Sequence, residues 1–168
     1  MPNGRLAVMI DKDIIIEKLK EVKDPELPLV SVIDMGIITG IDLDEKGNVK
    51  VVMTPTFAGC PAIEYMKAEI KKKLDELEIN SVEVEVNFNV QWNSNMISEN
   101  GRKLLKDSGF ALPARHTGLV QIEMLQKIEC PFCGKKNTRL MSAFGATQCR
   151  AVHYCDDCMQ MFEQIKPV

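Results

Sequence analysis

Six cysteines are the residues of this chain with the clearest chemistry. Four of them form two CxxC pairs, Cys130 with Cys133 and Cys155 with Cys158, and 21 residues separate the pairs. Two tight CxxC turns can bring four thiolates to about 2.3 Å from one Zn²⁺ ion. A zinc ion held by four thiolates has no open position for a substrate, so we expect a structural or partner-binding role.

The C-terminal cysteines also allow other interpretations. A CxxC pair can act as a redox couple, and Cys149, between the two pairs, keeps a small iron–sulfur cluster open. We expect Cys149 to be a spare thiol, and a role as an extra ligand is the alternative. His153 can also ligate a metal, but its position just before Cys155 favours an exposed residue on a ribbon strand.

Cys60 stands apart from the other cysteines. It follows a loop, residues 54–59 (TPTFAG), and precedes Pro61 and an amphipathic helical pattern. Proline suits the first helical position, so Cys60 is expected at the N-cap or in the first turn. Unpaired N–H groups and the helix dipole would lower the pKa of a thiol there, making it a metal ligand or a nucleophile. The alternative is a small buried residue without a function.

Hydroxyl and carboxylate side chains are candidates for groups around Cys60. Thr54 and Thr56 carry hydroxyls that can donate to its sulfur or contact a bound ion. Asp24 and Glu26 flank a proline in a turn and can hold a hard or borderline metal near Cys60. A solvated helix end is the alternative interpretation of these two carboxylates.

The composition is that of a soluble globular protein. Of 168 residues, 45% are apolar and 27% are charged, and the net charge of −3 argues against binding nucleic acid through phosphate contacts. No apolar run is long enough for a membrane span, and the apolar stretch within residues 1–13 is too short for a secretory signal. We therefore expect the cytoplasm, where cysteines clustered in this way point to metal or redox chemistry rather than to disulfides.

Apolar spacing predicts an α+β fold: a small mixed sheet with helices on one face, plus a C-terminal zinc-ribbon-like β unit. The predicted elements, in chain order, are a helix from Asp11 or Asp13 to about Val22, a turn over residues 30–36, strands over 37–43 and 48–54, a helix over 61–77, a strand over 82–88, and a helix from Ser98 to Gly109.

Charge divides the chain near the same place as the cysteines do. Residues 1–126 carry 15 basic and 20 acidic side chains, whereas residues 127–168 carry 6 and 4. Pro113 and Gly118 lie at this division as breakers of regular structure. We therefore predict a first domain over residues 1–112, a linker over 113–126 and a ribbon domain over 127–168.

Several motifs together resemble the metal–sulfur cluster assembly domain family, which includes bacterial and eukaryotic iron–sulfur maturation factors. They are residues 24–28 (DPELP), 32–36 (VIDMG) and 54–62 (TPTFAGCPA). Further motifs resemble the accessory D/J-type subunits of phenylacetyl-CoA oxygenase (epoxidase) systems. These are Trp92 and residues 97–104 (ISENGRKL), 109–113 (GFALP) and 144–149 (FGATQC), together with the cysteine ribbon.

The resemblance implies a non-catalytic helper in phenylacetate catabolism. Such a protein would assist the insertion of iron or an iron–sulfur cluster into the oxygenase or reductase subunits of a multicomponent enzyme. Cys60 would be the transient ligand of iron or of the cluster, surrounded by Asp24, Glu26 and Thr56. The ribbon cysteines would hold structural zinc.

Other functions stay open at this point. The protein can be a structural subunit of the oxygenase complex, or a general iron–sulfur assembly factor unrelated to phenylacetate. A thiol enzyme using Cys60 is the least favoured, because the only histidines, His116 and His153, lie outside the pattern of the first domain. Self-association is a further open point.

Overall fold

The first helix begins at a capping aspartate, as predicted. Asp11 Oδ1 accepts the N–H of Ile14 at 2.9 Å, and this replaces a hydrogen bond that the first helical turn lacks. The helix, α1, spans Lys12–Leu19 and buries Ile15 and Leu19. It therefore ends before the predicted limit near Val22, in a turn that leads to a short strand.

The computed structural model describes residues 10–117, 122–126 and 128–167. Most of the N-terminal segment considered for a secretory signal, part of the predicted linker and the predicted first residue of the ribbon domain lie outside these ranges. The elements after α1 are β1 (Lys23–Asp24), β2 (Leu27–Ser31), β3 (Ile38–Leu43), β4 (Asn48–Met53), α2 (Ile63–Leu74), β5 (Ser81–Val86), α3 (Glu99–Asp107), β6 (Thr138–Ser142), β7 (Arg150–Cys155) and β8 (Met161–Ile165), with short 3₁₀ turns at Ser94–Met96 and Ile122–Leu125.

The central sheet is mixed, as the sequence predicts. Its order is β3-β4-β5, with β3 antiparallel to β4 and β4 parallel to β5. The parallel pair requires a crossover, and α2 provides it. Val49, Val51 and Met53 alternate along β4 and are buried, because α1 and α2 pack on this side of the sheet. The α+β class and the helix-covered sheet are confirmed.

A hairpin before the central sheet is missing from the prediction. Residues 24–28, expected to form a turn, contain the end of β1, the connection and the start of β2 in an antiparallel pair. The predicted turn after it is present, since the Met35 N–H donates to the Ser31 carbonyl at 2.9 Å and Gly36 adopts φ +67°. Helix α3 packs on β2 rather than on the central sheet.

The C-terminal cysteines lie on a second, three-stranded antiparallel sheet of order β6-β7-β8. It joins the rest of the molecule at Ala111, which forms a parallel bridge with Gln164 of β8. Ile165, on the same strand, is buried in the main hydrophobic core. Among the described residues, no helix is both long and apolar enough to cross a membrane.

Candidate functional site

Two equivalent turns present the CxxC cysteines to one another. In the first turn the Gly134 N–H donates to the Cys130 carbonyl, and in the second the Met159 N–H donates to the Cys155 carbonyl, both at 2.9 Å. Gly134 and Met159 adopt φ values of +72° and +58°. The left-handed conformation that suits a glycine at position 134 is thus repeated at Met159, which carries a side chain.

The four sulfurs of these turns converge on one point. All lie within 4.8 Å of one another, with Cys130 Sγ 3.7 Å from Cys158 Sγ. Cys133 Sγ lies 3.6 Å from Cys155 Sγ. Bonds of about 2.3 Å in a tetrahedral site require sulfurs about 3.8 Å apart, and these two distances are close to that value. The described geometry and donor set therefore suit a closed structural metal site.

The thiols of this cluster influence one another strongly. Backbone N–H groups of Cys158 and Asp157 lower the pKa of Cys155 to about 7. Loss of hydration, together with the neighbouring sulfurs, raises the pKa of Cys158 to about 12. Four thiolates held this close repel one another, and a divalent cation at their centre removes that repulsion and displaces their protons.

His153 does not belong to the cluster, and its predicted exposure is wrong. It is completely buried on β7, where its ring stacks on Phe162 with the centroids 5.4 Å apart. Its Nε2 lies 3.0 Å from Gln164 Oε1. Burial lowers the pKa of His153, so the imidazole is neutral and supports the packing of the ribbon.

Cys149 is also outside the four-sulfur cluster. It lies just before β7, and its sulfur is 3.0 Å from Thr147 Oγ1. Its backbone carbonyl accepts the Lys166 N–H at 2.9 Å, which fixes the residue against the end of β8.

The predicted place of Cys60 at the start of the helix is wrong. Helix α2 begins at Ile63 with Ala62 as its N-cap, so Cys60 precedes the helix. Its N–H donates to the Phe57 carbonyl at 3.1 Å, which shows that residues 57–60 form a separate turn. Cys60 is half-buried and packs against the edge of the main core.

The expected lowering of the Cys60 pKa is wrong as well. Burial raises the pKa of this thiol, and negative charges on Asp24 and Cys149 raise it further. The Ala62 N–H and the Thr56 hydroxyl act in the opposite direction but are outweighed. Cys60 is therefore a protonated thiol at neutral pH, and a metal ion must displace its proton to bind it.

The groups expected around Cys60 are only partly brought together. Asp24 is 8% exposed, its Oδ1 accepts the Glu26 N–H at 2.8 Å, and burial raises the pKa of its carboxyl. The Thr56 hydroxyl is close enough to lower the pKa of Cys60, whereas Thr54 is completely buried and its hydroxyl donates to the Asn87 carbonyl at 3.1 Å. Glu26 is exposed, and its backbone carbonyl accepts a hydrogen bond from Arg150.

Arg150 is a central residue that sequence reasoning missed. It is 5% exposed, and its Nη2 donates to the Glu26 carbonyl at 2.9 Å while its Nη1 donates to Glu163 at 2.9 Å. It thus links the ribbon to the turn that carries Asp24. The one indication in the sequence was that Arg150 directly follows the motif of residues 144–149.

Two family models match the chain. One, described as an iron–sulfur cluster assembly protein, matches residues 12–86, and the other, described as a PaaD zinc beta ribbon domain, matches residues 116–166. The first covers α1 to β5 and includes Cys60, and the second covers the four-cysteine cluster.

Individual proteins agree with these matches. An Escherichia coli protein, provisionally named as one of the subunits of 1,2-phenylacetyl-CoA epoxidase, is 29% identical over 148 residues, 88% of each chain. An Fe–S protein maturation auxiliary factor of Porphyromonas gingivalis is 35% identical over 86 residues, which are 51% of this chain and 81% of the relative.

A solved structure shares the fold of the first half. A domain of unknown function from Bacillus anthracis superimposes with a TM-score of 0.53 at 30% identity, covering 55% of this chain and 89% of that domain. The Porphyromonas gingivalis factor is 35% identical to this chain and is covered over 81% of its length. The chain therefore belongs to the iron–sulfur cluster assembly family, with a zinc ribbon of the PaaD type in its C-terminal part.

Proposed function

We propose that this protein is a non-catalytic maturation factor that helps to load iron, or an iron–sulfur cluster, into a multicomponent oxygenase. The observation that carries the proposal is the placement of Cys60: a half-exposed thiol in a turn before α2, with the Thr56 hydroxyl and the Asp24 carboxylate around it. Its segment lies inside the match to the assembly family.

The raised pKa of Cys60 suits a transient ligand. A protonated thiol does not hold a metal ion until the ion displaces the proton, so binding is weaker than at a preformed thiolate. A weakly held ion can be passed on to a client with stronger ligands. Transfer of iron by a thiol requires a reducing compartment, and the proposed location is therefore the cytoplasm.

A phenylacetyl-CoA oxygenase is the proposed client system. The support is the similarity to the Escherichia coli protein named after that enzyme, which extends over 88% of both chains and includes the ribbon. The metal centres to be loaded would be the di-iron site of the oxygenase subunit or the [2Fe–2S] cluster of its reductase.

The test compares the metal content of the client made with wild-type protein and with Cys60→Ala. We expect the variant to fold normally and to leave the client's iron content at the level found without the protein. Ala58→Ser, on the exposed part of the same loop, is the matched control and should support full loading. Full loading with Cys60→Ala would contradict the proposal.

The same experiment tests a general assembly role. An alternative outcome is that Cys60→Ala leaves the oxygenase system loaded and lowers the iron content of other iron–sulfur enzymes in the cell. That result would show that the oxygenase is not the client and would support the delivery role of Cys60. Purifying aconitase-type and reductase-type iron–sulfur enzymes from the same cells provides that comparison.

A structural subunit is the second candidate function, and the surface of the ribbon favours it. Large apolar side chains are exposed on and beside its strands: Phe132, Leu140, Met141, Phe144, Met159 and Met161. A structural subunit would tolerate Cys60→Ala without effect on its client. The oxygenase assembly would instead fail on size-exclusion chromatography when Cys133→Ser disrupts the ribbon.

A further inference from the structure

One face of the ribbon sheet is covered at only one of its ends. Side chains alternate along a strand, and residues paired across strands share a face. At the covered end, the pair Arg150 and Ile165 is buried against the first half of the molecule. At the other end of the same face, Tyr154 on β7 pairs with Arg139 on β6 and with Met161 on β8. Arg139 and Met161 are exposed, so this end of the face is open.

The side chains at the open end hold one another in place. The guanidinium carbon of Arg139 lies 4.8 Å from the centre of the Tyr154 ring, a cation–π contact. Its Nη1 lies 3.1 Å from Met141 Sδ, and its Nε donates to Asp156 Oδ1 at 3.1 Å. We call the surface formed by Arg139, Met141, Tyr154 and Met161 the distal ribbon face.

The distal ribbon face has the residue types of a protein-binding surface. Tyrosine, methionine and arginine are enriched at protein–protein interfaces, and tyrosine and arginine often contribute most of the binding energy. Met141 and Met161 are 48% and 59% exposed, and methionine side chains adapt readily to the shape of a partner. Because Tyr154 and Asp156 already hold Arg139, little side-chain freedom is lost when a partner binds.

The charge at this end of the ribbon indicates an acidic partner. Residues 127–168 carry 6 basic and 4 acidic side chains, whereas residues 1–126 carry 15 and 20. Lys135 and Lys136 are exposed just before β6. They lie at the open end, since the neighbouring Asn137 carbonyl accepts the Asp156 N–H at 3.0 Å. Among the described residues, the ion pairs of the ribbon use other cations, so the charge of these two lysines is available to a partner.

A protein surface fits this end of the ribbon better than two other occupants do. Nucleic acid would place its phosphates close to the exposed Asp156 and Asp157. A second copy of this chain, packed about a two-fold axis, would bring the same face with the same net positive charge against the first. The observations favour an apolar contact bordered by Asp and Glu carboxylates.

We propose that the distal ribbon face docks this protein on an acidic surface of its client, the oxygenase component. An apolar side chain of the client would contact Met141 and Met161, and client carboxylates would face Lys135 and Lys136. The inference rests on the proposed function for the identity of the partner, but it does not depend on the role of Cys60. It assigns recognition of the client to the ribbon and leaves metal handling to the first half.

The test measures binding of the purified oxygenase component to the full-length, zinc-loaded protein by isothermal titration calorimetry. We expect Met161→Glu to weaken binding by at least about tenfold and Met161→Lys by less than about threefold, because only glutamate places like charge against client carboxylates. Lys136→Glu should weaken binding and make it less sensitive to salt.

Two control variants match these charge changes at sites far from the ribbon. Phe88→Glu alters an apolar side chain that is 62% exposed after β5, and Lys46→Glu alters an exposed lysine in the β3–β4 turn. Both should bind like wild type. Unchanged zinc content in each variant shows that the ribbon is intact.

The outcomes separate this inference from the proposed function. Normal binding by Met161→Glu would show that the face is not the docking site, and equal weakening by Met161→Glu and Met161→Lys would show that the partner is not acidic. The inference is also wrong if wild type binds no oxygenase component, binds duplex DNA through Lys136, or forms a dimer that Met161→Glu dissociates. Failed client loading by Cys60→Ala together with its normal docking supports both proposals. Failed loading by Cys60→Ala together with normal binding by Met161→Glu overturns only the docking face.

Discussion

Cys60 is the residue whose environment differs most from the expectation based on its neighbours. A helix N-terminus stabilises a nearby anion by about 0.3–1 kcal/mol, and the effect falls off within the first turn. Cys60 lies before the N-cap and is half-buried, so it receives little of this effect and loses hydration. Burial disfavours the charged form of a thiol, and in this case it outweighs the N–H of Ala62.

This environment predicts a slow, pH-dependent reaction of Cys60 with iodoacetamide. Because the pKa of Cys60 is raised, its alkylation at pH 7 should be slower than that of a cysteine in the unfolded chain and should still be rising above about pH 8.5. Asp24→Asn removes one negative charge that raises this pKa. It should speed alkylation at pH 7 by about two- to fivefold, the effect of roughly 0.5–1 kcal/mol in a partly exposed site.

The measurement uses zinc-loaded protein, so that the ribbon thiols are protected, and mass mapping of the peptide that contains Cys60. Asp44→Asn, at a distant exposed hairpin, controls for the change of net charge. An alkylation rate that levels off below about pH 8 would contradict the raised pKa.

Residue spacing predicted the ribbon cluster but not the surroundings of the other two cysteines. The CxxC spacing itself dictates a local turn, so four converging sulfurs could be expected from the sequence. The packing of the start of β7 against the 24–26 turn depends on Arg150, a buried contact between segments far apart in the chain. Local patterns carry no information on such contacts. The burial that raises the pKa of Cys60 likewise depends on segments that are distant in the sequence.

Among the elements, the two CxxC turns share one backbone conformation but differ in the residue that follows the second cysteine. Both place a residue in the left-handed region, Gly134 in the first turn and Met159 in the second. This conformation costs a residue with a Cβ atom about 1–2 kcal/mol, whereas glycine adopts it freely. A Cβ added at Gly134 would meet no atom within 4 Å, so only the backbone conformation opposes it.

Substitutions at these two positions should therefore change zinc affinity in opposite directions. We expect Gly134→Ala to weaken zinc binding by about 5- to 30-fold, the equivalent of roughly 1–2 kcal/mol. Met159→Gly should strengthen it by up to about fivefold, because relief of the backbone strain is partly offset by the greater freedom of glycine in the unfolded chain. Competition with a chelator of known affinity measures both. Equal weakening by both substitutions would contradict the equivalence of the turns.

Helix α3 reaches the 31–36 turn through a buried aspartate. Asp34 accepts hydrogen bonds from the Ser31 and Ser98 hydroxyls at 2.7 and 2.8 Å, and its backbone carbonyl accepts the Ser98 N–H at 2.8 Å. Ser98 is also the N-cap of α3. The close approach requires a glycine in the first turn of the helix, since a Cβ at Gly101 would lie 2.6 Å from the Asp34 carbonyl oxygen.

Gly101→Ala should accordingly destabilise the protein although alanine favours helices. The gain in helix propensity is about 1 kcal/mol, and a contact of 2.6 Å with backbone forces α3 away from Asp34. We expect a net loss of about 1–2 kcal/mol in the free energy of unfolding by urea. Lys103→Ala, on the exposed face of the same helix, should change it by less than about 0.5 kcal/mol. Stabilisation by Gly101→Ala would show that α3 can shift freely.

The order of helices and main strands followed from sequence periodicity, but the β1–β2 hairpin did not. Ile63, Met66, Ile70 and Leu74 recur at helical spacing, and all four are buried in α2. In contrast, β1 has two residues and β2 contains Pro28, so neither shows the alternation by which strands are recognised. The hairpin packs against α3 through β2 and buries Leu27 and Val30 in the main core, and these contacts join segments that are distant in the chain.

At the scale of the whole molecule, the ribbon and the first half differ in what holds them together. The main core contains large apolar side chains from both α1 and α2 and from the central sheet. The ribbon has a small hydrophobic cluster of its own. Within the described part of the chain, its buried residues are Ala111, Ile128, Cys130, Cys155 and Phe162. Two of these five are members of the four-sulfur cluster, so the ribbon depends on its metal far more than the first half does.

The ribbon is nevertheless not independent of the first half. The Ala111 N–H donates to the Glu163 carbonyl at 2.9 Å, Ile165 is buried in the main core, and Arg150 donates to the Glu26 carbonyl. Loss of the ribbon structure would remove all three contacts. The hairpin β1–β2 contains both Asp24 and Glu26. We therefore expect it to be the part of the first half that this loss affects most.

Removal of the metal should therefore unfold the ribbon and loosen the hairpin while the central sheet remains. Hydrogen exchange of protein treated with a strong chelator measures this. We expect full exchange in β6–β8, faster exchange in β2 and unchanged protection in β4 and α2, whose buried residues belong to the main core and not to the hydrophobic cluster of the ribbon.

Because protons compete with the metal for the thiolates, falling pH should produce the same pattern without a chelator. Cys133→Ser should show it at neutral pH. Protection of β6–β8 that survives chelation would mean that burial alone folds the ribbon, and loss of protection in α2 as well would mean that the two halves fold as one unit.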